Sequence, residues 1–259
     1  MNDWLWYALL IPAGFAAGVI NTIAGGGSFL TLPALMFCCG IDLKTANATN
    51  RTAILLSSGS ASLTFNKYGH LDRRLALQLA IPTLIGVPLG TWLALELPTQ
   101  AIEPLFGGLF LIMAIVMLMD PKRFIEPAKT KRKMPWWGYG VFFAIGVYVG
   151  FIQAGMGILL LLALPMVASG NLVQSNAIKN LIGFVVTLLG VILFASSGAI
   201  VWLPGLIMAI GNVAGGVVGA RLAIAKGNKL ILTVLVIVMV AFGIKLLWPI
   251  VGYLSLVTS

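Results

Sequence analysis

The chain has 259 residues, 60% of them apolar and only 9% charged, where soluble proteins carry roughly 25% charged residues. So few charges cannot cover a water-exposed surface. A soluble enzyme or binding domain is excluded in favour of an all-α polytopic membrane protein whose partners include the lipid bilayer. The excess of 16 Lys and Arg over 7 Asp and Glu then speaks for cytoplasmic loops and anionic headgroups rather than nucleic acid.

The N-terminal Met1-Asn2-Asp3 lacks the positive region of a signal peptide, so the first apolar stretch is expected to stay in the mature protein. Apolar segments run from Trp4 to Ala24, Ser28 to Cys39, Ala46 to Phe65, Leu75 to Leu95 and Ala101 to Met119. A polar stretch, Asp120 to Lys133, follows. The series then returns as Trp136 to Ala154, Ile158 to Ala168, Asn176 to Ser196, Val201 to Ala223 and Leu230 to Trp248. The second member of each series is too short to cross a bilayer, which takes about 20 apolar residues, so it is expected to be re-entrant or part of a broken span. Cys38 and Cys39 are adjacent and offer no disulfide framework. With His70 as the single histidine, no metal site and no cofactor are expected.

The two series read as one unit used twice: a first membrane repeat at 1–119, a basic linker at 120–134 and a second repeat at 135–259. A shift of 132 carries Gly14, Gly18, Gly25, Leu32 and Pro33 onto Gly146, Gly150, Gly157, Leu164 and Pro165. A shift of 129 carries Asn47, Ala48, Phe65, Gly69, Gly86 and Gly90 onto Asn176, Ala177, Phe194, Gly198, Gly215 and Gly219. The linker bears Lys122, Arg123, Lys129, Lys131, Arg132 and Lys133 and should be cytoplasmic. Lys67, Arg73 and Arg74, then Arg221, Lys226 and Lys229, belong on the same side, and both termini outside. The repeats therefore have inverted topology, an arrangement of transporters whose sites lie where the halves meet.

The segment "AGVINTIAGGGSFLTLPAL" at Ala17 to Leu35 and "ANATNR" at Ala46 to Arg51 resemble the sulfite exporter TauE/SafE family, also called the 4-toluene sulfonate uptake permeases. "VGFIQAGMGILLLLALPM" at Val149 to Met166 and "GGVVGARLA" at Gly215 to Ala223 match its second half. The resemblance covers nearly the whole chain. It implies about eight membrane helices and transport of sulfite, organosulfonates or related anions, in a multi-pass bacterial inner-membrane protein. The second copy departs from the family's Gly-Gly-Gly.

Gly25-Gly26-Gly27 and Gly155-Met156-Gly157 interrupt apolar runs, and consecutive glycines are poor helix formers. Unwound backbone in lipid must be buried in protein or line a wet cavity, and freed N–H groups suit an anion. The two tips are expected to approach one another around a central cavity, led by short helices starting at Ser28 and Ile158. Close helix packing is the plainer use of glycine, as at Gly14 and Gly18, Gly86 and Gly90, and Gly215 and Gly219. Arg51 and Lys179 sit at nearly equivalent places, each about one turn inside its segment. Asn47 and Asn50 accompany the first, and Asn176 and Asn180 the second. A pair of cations related by the repeat would make an anion receptor, whereas snorkelling to the interface is the alternative. Asn21, Thr22, Ser28 and Gln153 flank the breaks and would add neutral hydrogen bonds.

Glu96, Glu103 and Asp120 are terminal, so a carboxylate proton relay has no obvious members. Export of an anion from a cell negative inside needs none. The expectation is a secondary exporter of a small sulfur-containing anion by alternating access, acting as a monomer or a homodimer. A channel-like facilitator, or a carrier of a non-sulfur organic anion, is the alternative. An enzyme is not expected, because no nucleophile–base set stands at membrane depth.

Overall fold

A computed structural model describes residues 3–98, 135–164, 167, 172–227 and 233. The basic linker, the segment 101–119, all of 230–248 but residue 233, and all but residue 167 of the end of the stretch expected at Ile158 to Ala168 lie outside the described residues. The helices are α1 (Asp3–Ile23), α2 (Ser28–Cys39), α3 (Leu43–Lys67), α4 (Arg73–Glu96), α5 (Trp136–Phe151), α6 (Met156–Ala163), α7 (Leu172–Ser196) and α8 (Trp202–Gly227). Four are long and apolar enough to cross a membrane: α1 from Trp4, α4, α7 and α8. The pair α2 and α3 passes that test together, bent by 118° between them. The described residues thus carry four or five spans of the eight expected.

Local chemistry sets the helix ends. The Asp42 carboxylate accepts from the N–H groups of Lys44 and Thr45 at the start of α3, and the Asp72 side chain accepts from Leu75 at the start of α4. Each satisfies donors the helix itself leaves open. α2 folds back along α1, since its first turn lies against Ala17 and Asn21 and Phe37 near its end meets Trp6 edge-on, 5.4 Å between ring centroids. α1 and α2 are therefore an antiparallel hairpin with the glycine run at its tip.

Helix directions establish the inverted repeat. α3 and α7 are mates at an offset of 129, and they run antiparallel: Arg51 lies at Gly190, Ser58 at Gly183 and Gly59 at Phe184. Only a two-fold axis perpendicular to the helices makes mates antiparallel. The remaining contacts between halves obey the same axis. α1 lies parallel to α8, with Gly211 at Ile11 and Gly215 at Phe15 and Val19, and α4 lies parallel to α5, with Gly86 at Phe143 and Val147. Small residues let these backbones touch.

The same contacts correct the register of the first helices. Gly215 sits at Phe15 and Val19, while its mate Gly86 sits at Phe143 and Val147. Gly18 sits at Asn212, and Gly146 at the mate of Asn212, Thr83. The caps before α2 and α6 are Gly27 and Gly155. All three give an offset of 128, one helical turn short of the 132 read from sequence. Glycines spaced by four match almost as well in either register, so the pattern alone could not choose between them.

Charge segregates along the bundle. α3 and α8 run parallel, with Gly205 at Thr49 and Thr52 and Gly216 at Ser57 and Ser60. Lys67, Arg73, Arg74, Arg221 and Lys226 therefore gather at one end. At the other, the Lys44 ammonium donates to the Leu95 carbonyl, joining the start of α3 to the end of α4. A small apolar cluster of Ile23, Ala61, Phe65, Leu172, Ala220 and Ala223 stands apart from the main core.

Candidate functional site

The unwound segments are Ala24–Gly27 and Ile152–Gly155. Gly25 has φ +86° and Gly155 φ +77°, a left-handed backbone that costs a residue with a Cβ about 1–2 kcal/mol. The first break falls where expected. The second begins earlier: Met156 and Gly157 already belong to α6, which starts at Met156 rather than Ile158. The tips are in direct contact instead of facing each other across a central cavity. A Cβ on Gly25 would lie 2.3 Å from the Cα of Gly157, so two bare backbones make the junction.

Around this junction each repeat sends a polar row from its third helix to the end of the other repeat's first helix. From α3, the Asn47 amide donates to Phe151 O at 3.0 Å and accepts from Gln153 N at 3.3 Å, and Arg51 Nη2 donates to Gly150 O at 2.8 Å. From α7, Asn176 donates to Ile23 O at 3.0 Å, Asn180 to Thr22 O at 3.4 Å, and Lys179 Nζ to Asn21 O and Thr22 O at 2.9 and 2.8 Å. The acceptors are last-turn carbonyls at the negative end of each helix dipole, and Asn21 O accepts from Gly25 N as well, at 2.9 Å. Arg51 is 0% and Lys179 2% exposed within the protein. Neither snorkels, and each lies about two turns inside its helix rather than one.

The two cations differ in what they have left to offer. Lys179 commits two of its three donors to carbonyls. Arg51 commits Nη2 alone, while its Nε and Nη1 are buried with no hydrogen-bond partner among the described residues. Its guanidinium carbon stands 4.4 Å from the centroid of Phe194, a cation–π contact, and a Cβ on Gly190 would come within 2.8 Å of Nη1. Just before it in the chain, Asn50 is fully buried, and both its amide atoms are unpartnered among the described residues, as are Thr22 Oγ1, Ser28 Oγ and Gln153 Oε1.

Every candidate polar side chain read from sequence (Asn21, Thr22, Ser28, Asn47, Asn50, Arg51, Gln153, Asn176, Lys179 and Asn180) is buried. Asn47 and Gln153 are joined by a hydrogen bond, and so are Lys179 and the backbone of Asn21 and Thr22. Gly26 accepts from Phe29 N at 3.2 Å, and Gly27 caps α2. Sequence reasoning missed Gly190, Phe194, Thr187, which accepts from Gln153 Nε2, and Tyr148, whose hydroxyl donates to Ala154 O across the second break. The repeat match of Phe65 with Phe194 was the one signal available. Nothing in sequence marks Gly190.

Broken helices meeting inside an inverted repeat of apolar spans define a multi-pass membrane transporter. The family model of the Sulfite exporter TauE/SafE matches residues 10–246, and the chain belongs to that family. It is similar to "Probable membrane transporter protein ORF9" of Sinorhizobium sp, 33% identical over 93% of this chain and 92% of that one. It is also similar to "Probable membrane transporter protein" of Haemophilus influenzae, 30% identical over 93% and 94%, and to "Probable membrane transporter protein YfcA" of Escherichia coli K12, 30% identical over 94% and 90%. No solved structure matches the chain.

Proposed function

We propose that this protein is a secondary carrier that exports a small sulfur oxyanion or organosulfonate across the bacterial inner membrane by alternating access, with Arg51 as the main substrate contact. The observation that carries the reading is the Arg51 guanidinium, fully buried yet with Nε and Nη1 unspent. A planar fork of N–H donors suits two oxygens of a sulfite or sulfonate. The described acidic residues stand at helix ends, with Asp42 and Asp72 as caps and Glu96 closing α4, so a substrate anion is the natural counter-ion. The family supports the sulfur class, and the inverted repeat supports alternating access. By the charge bias of cytoplasmic loops, the basic end faces the cytoplasm and both termini lie outside.

Counterflow in proteoliposomes tests the reading. Internal sulfite or sulfoacetate should drive saturable uptake of the labelled anion, and Arg51→Gln should raise the half-saturation concentration roughly ten- to hundredfold, the worth of a charge-assisted hydrogen bond. Unitary currents would establish a channel instead. Counterflow with carboxylates alone would reassign the substrate class. A double Arg51→Gln, Lys179→Gln variant that matches wild type would remove both cations from the site.

A further inference from the structure

Beyond the polar rows, one feature leads from solvent towards Arg51. A cavity of about 280 Å³ opens between the ends of α4 and α7, lined by Pro88, Thr91, Trp92, Leu95, Leu193 and Ser197 among others. It lies at the end opposite the basic cluster. Thr91 in its wall directs its hydroxyl at Gly150 O, 3.4 Å away, the same carbonyl that takes Arg51 Nη2 at 2.8 Å. The wall and the guanidinium thus share one acceptor. On the α7 side, Leu193, Ser196 and Ser197 line the space while Phe194 between them turns inward, fully buried, onto Arg51. The other end of the axis is built differently. Phe65, the mate of Phe194, belongs to the separate apolar cluster, and the mate of Arg51 is the neutral Asn180.

We propose that this cavity is the outer vestibule of the transport path and that Phe194 is its gate, a ring that covers Arg51 and moves aside when a small oxyanion arrives. The apolar packing around Phe65 is the corresponding inner seal, closed here. An anion reaching Nε and Nη1 neutralises the guanidinium and weakens its hold on the ring, so substrate loosens the outer gate by direct competition. The proposal rests on Arg51 as the substrate contact. It adds the route, the gating residue and the side from which the site is reached.

The experiment uses the full chain with Cys38→Ser and Cys39→Ser, single cysteines, and an impermeant anionic thiosulfonate reagent on vesicles of known orientation. Thr91→Cys should label from the side opposite the basic end, and sulfite should slow that labelling, with Arg51→Gln abolishing the protection. Ser58→Cys lies deeper, at Gly183 on α7, and should be inert from that side until Phe194→Ala is added, which should raise its labelling about tenfold, the scale of a desolvated cation–π contact. Phe194→Leu keeps apolar bulk without the ring and serves if the alanine variant fails to fold, with a smaller rise in the same direction. Thr91→Cys labelled only from the basic side, or Ser58→Cys unchanged in both Phe194 variants, would overturn the gate. If the labelling pattern holds but sulfite neither protects nor is transported, the vestibule stands and the substrate reading fails. If sulfite is carried while Thr91→Cys stays inert, the reverse holds.

Discussion

Two corners of the molecule perform the same structural task with different residues. At the end of α1, Lys179 and Asn180 tie down the carbonyls of Asn21 and Thr22. At the end of α5, Arg51 ties down Gly150, with the Thr91 hydroxyl reaching the same carbonyl. Under the two-fold axis Asn180 is the mate of Arg51, and Lys179 is the mate of Asn50. The cations are thus neighbours of equivalent positions rather than equivalents. Lys179 is largely spent on the backbone. Among the described residues, two Arg51 nitrogens and the whole amide of Asn50 beside it have no hydrogen-bond partner. The unspent donors among the described residues thus lie on α3, which is why the proposed function gives the binding role to Arg51 and leaves Lys179 a structural one.

The largest effect should come from the junction both corners share. Gly25→Ala would force a left-handed φ on a residue with a Cβ and drive that Cβ into Gly157. A loss of about 3 kcal/mol or more is expected, read as little folded protein in detergent by size exclusion. Gly69→Ala, with a similar φ of +74° but open space around it, isolates the backbone cost and should be much milder. Near-equal thermal stability of the two variants would mean the tips do not touch.

Next comes the contrast between the cations. Lys179→Met keeps the bulk but removes two buried charge-assisted hydrogen bonds, worth about 1.5–3 kcal/mol each, although Asn21 O keeps Gly25 N and Thr22 O keeps the Asn180 amide. It should lower the melting temperature sharply. Arg51→Gln should cost less stability, since a single carbonyl is involved and Thr91 also reaches it, yet it should cost more in anion affinity. If the two variants lose stability equally and neither changes affinity, both corners are merely structural.

Much of this was legible in the sequence, and the failures have identifiable causes. Composition fixed the membrane class, and the paired interruptions located both breaks, because apolar runs long enough to span are rarely broken twice at matching places without reason. The 129 offset held through α3 and α7, where asparagine and phenylalanine matches are hard to shift, and the loop match of Gly69 with Gly198 carried it into α4 and α8. It failed in α1 and α5, where the matches were glycines four apart and a whole turn of slippage cost nothing. That slip paired Gly25 with Gly157 as equivalents, when they are partners in contact. The cations were found because charge at depth is rare. What their donors touch depends on helix-end carbonyls, which no side-chain pattern encodes.

The smallest expected effect concerns the start of α3. Asp42 caps this helix, and the residue 129 positions further along is Asn171, whose side chain does not titrate. Burial alone would raise the Asp42 pKa, but hydrogen bonds from the Thr45 hydroxyl and from the Thr45 and Lys44 N–H groups outweigh it and hold the carboxyl below the ordinary carboxylate range. A carboxyl whose folded pKa is depressed adds stability that is present above its unfolded value and lost as pH falls through the folded one. Melting temperature should therefore carry a small acid-side decline from this cap, beginning near pH 4, the usual carboxylate value of about 3.9. Asp42→Asn should remove that increment while keeping a neutral capping side chain, so wild type and variant should converge at low pH and differ slightly at neutral pH. A variant that stays as far below wild type in acid as at pH 7 would show that the negative charge is not what Asp42 contributes to the helix bearing Arg51.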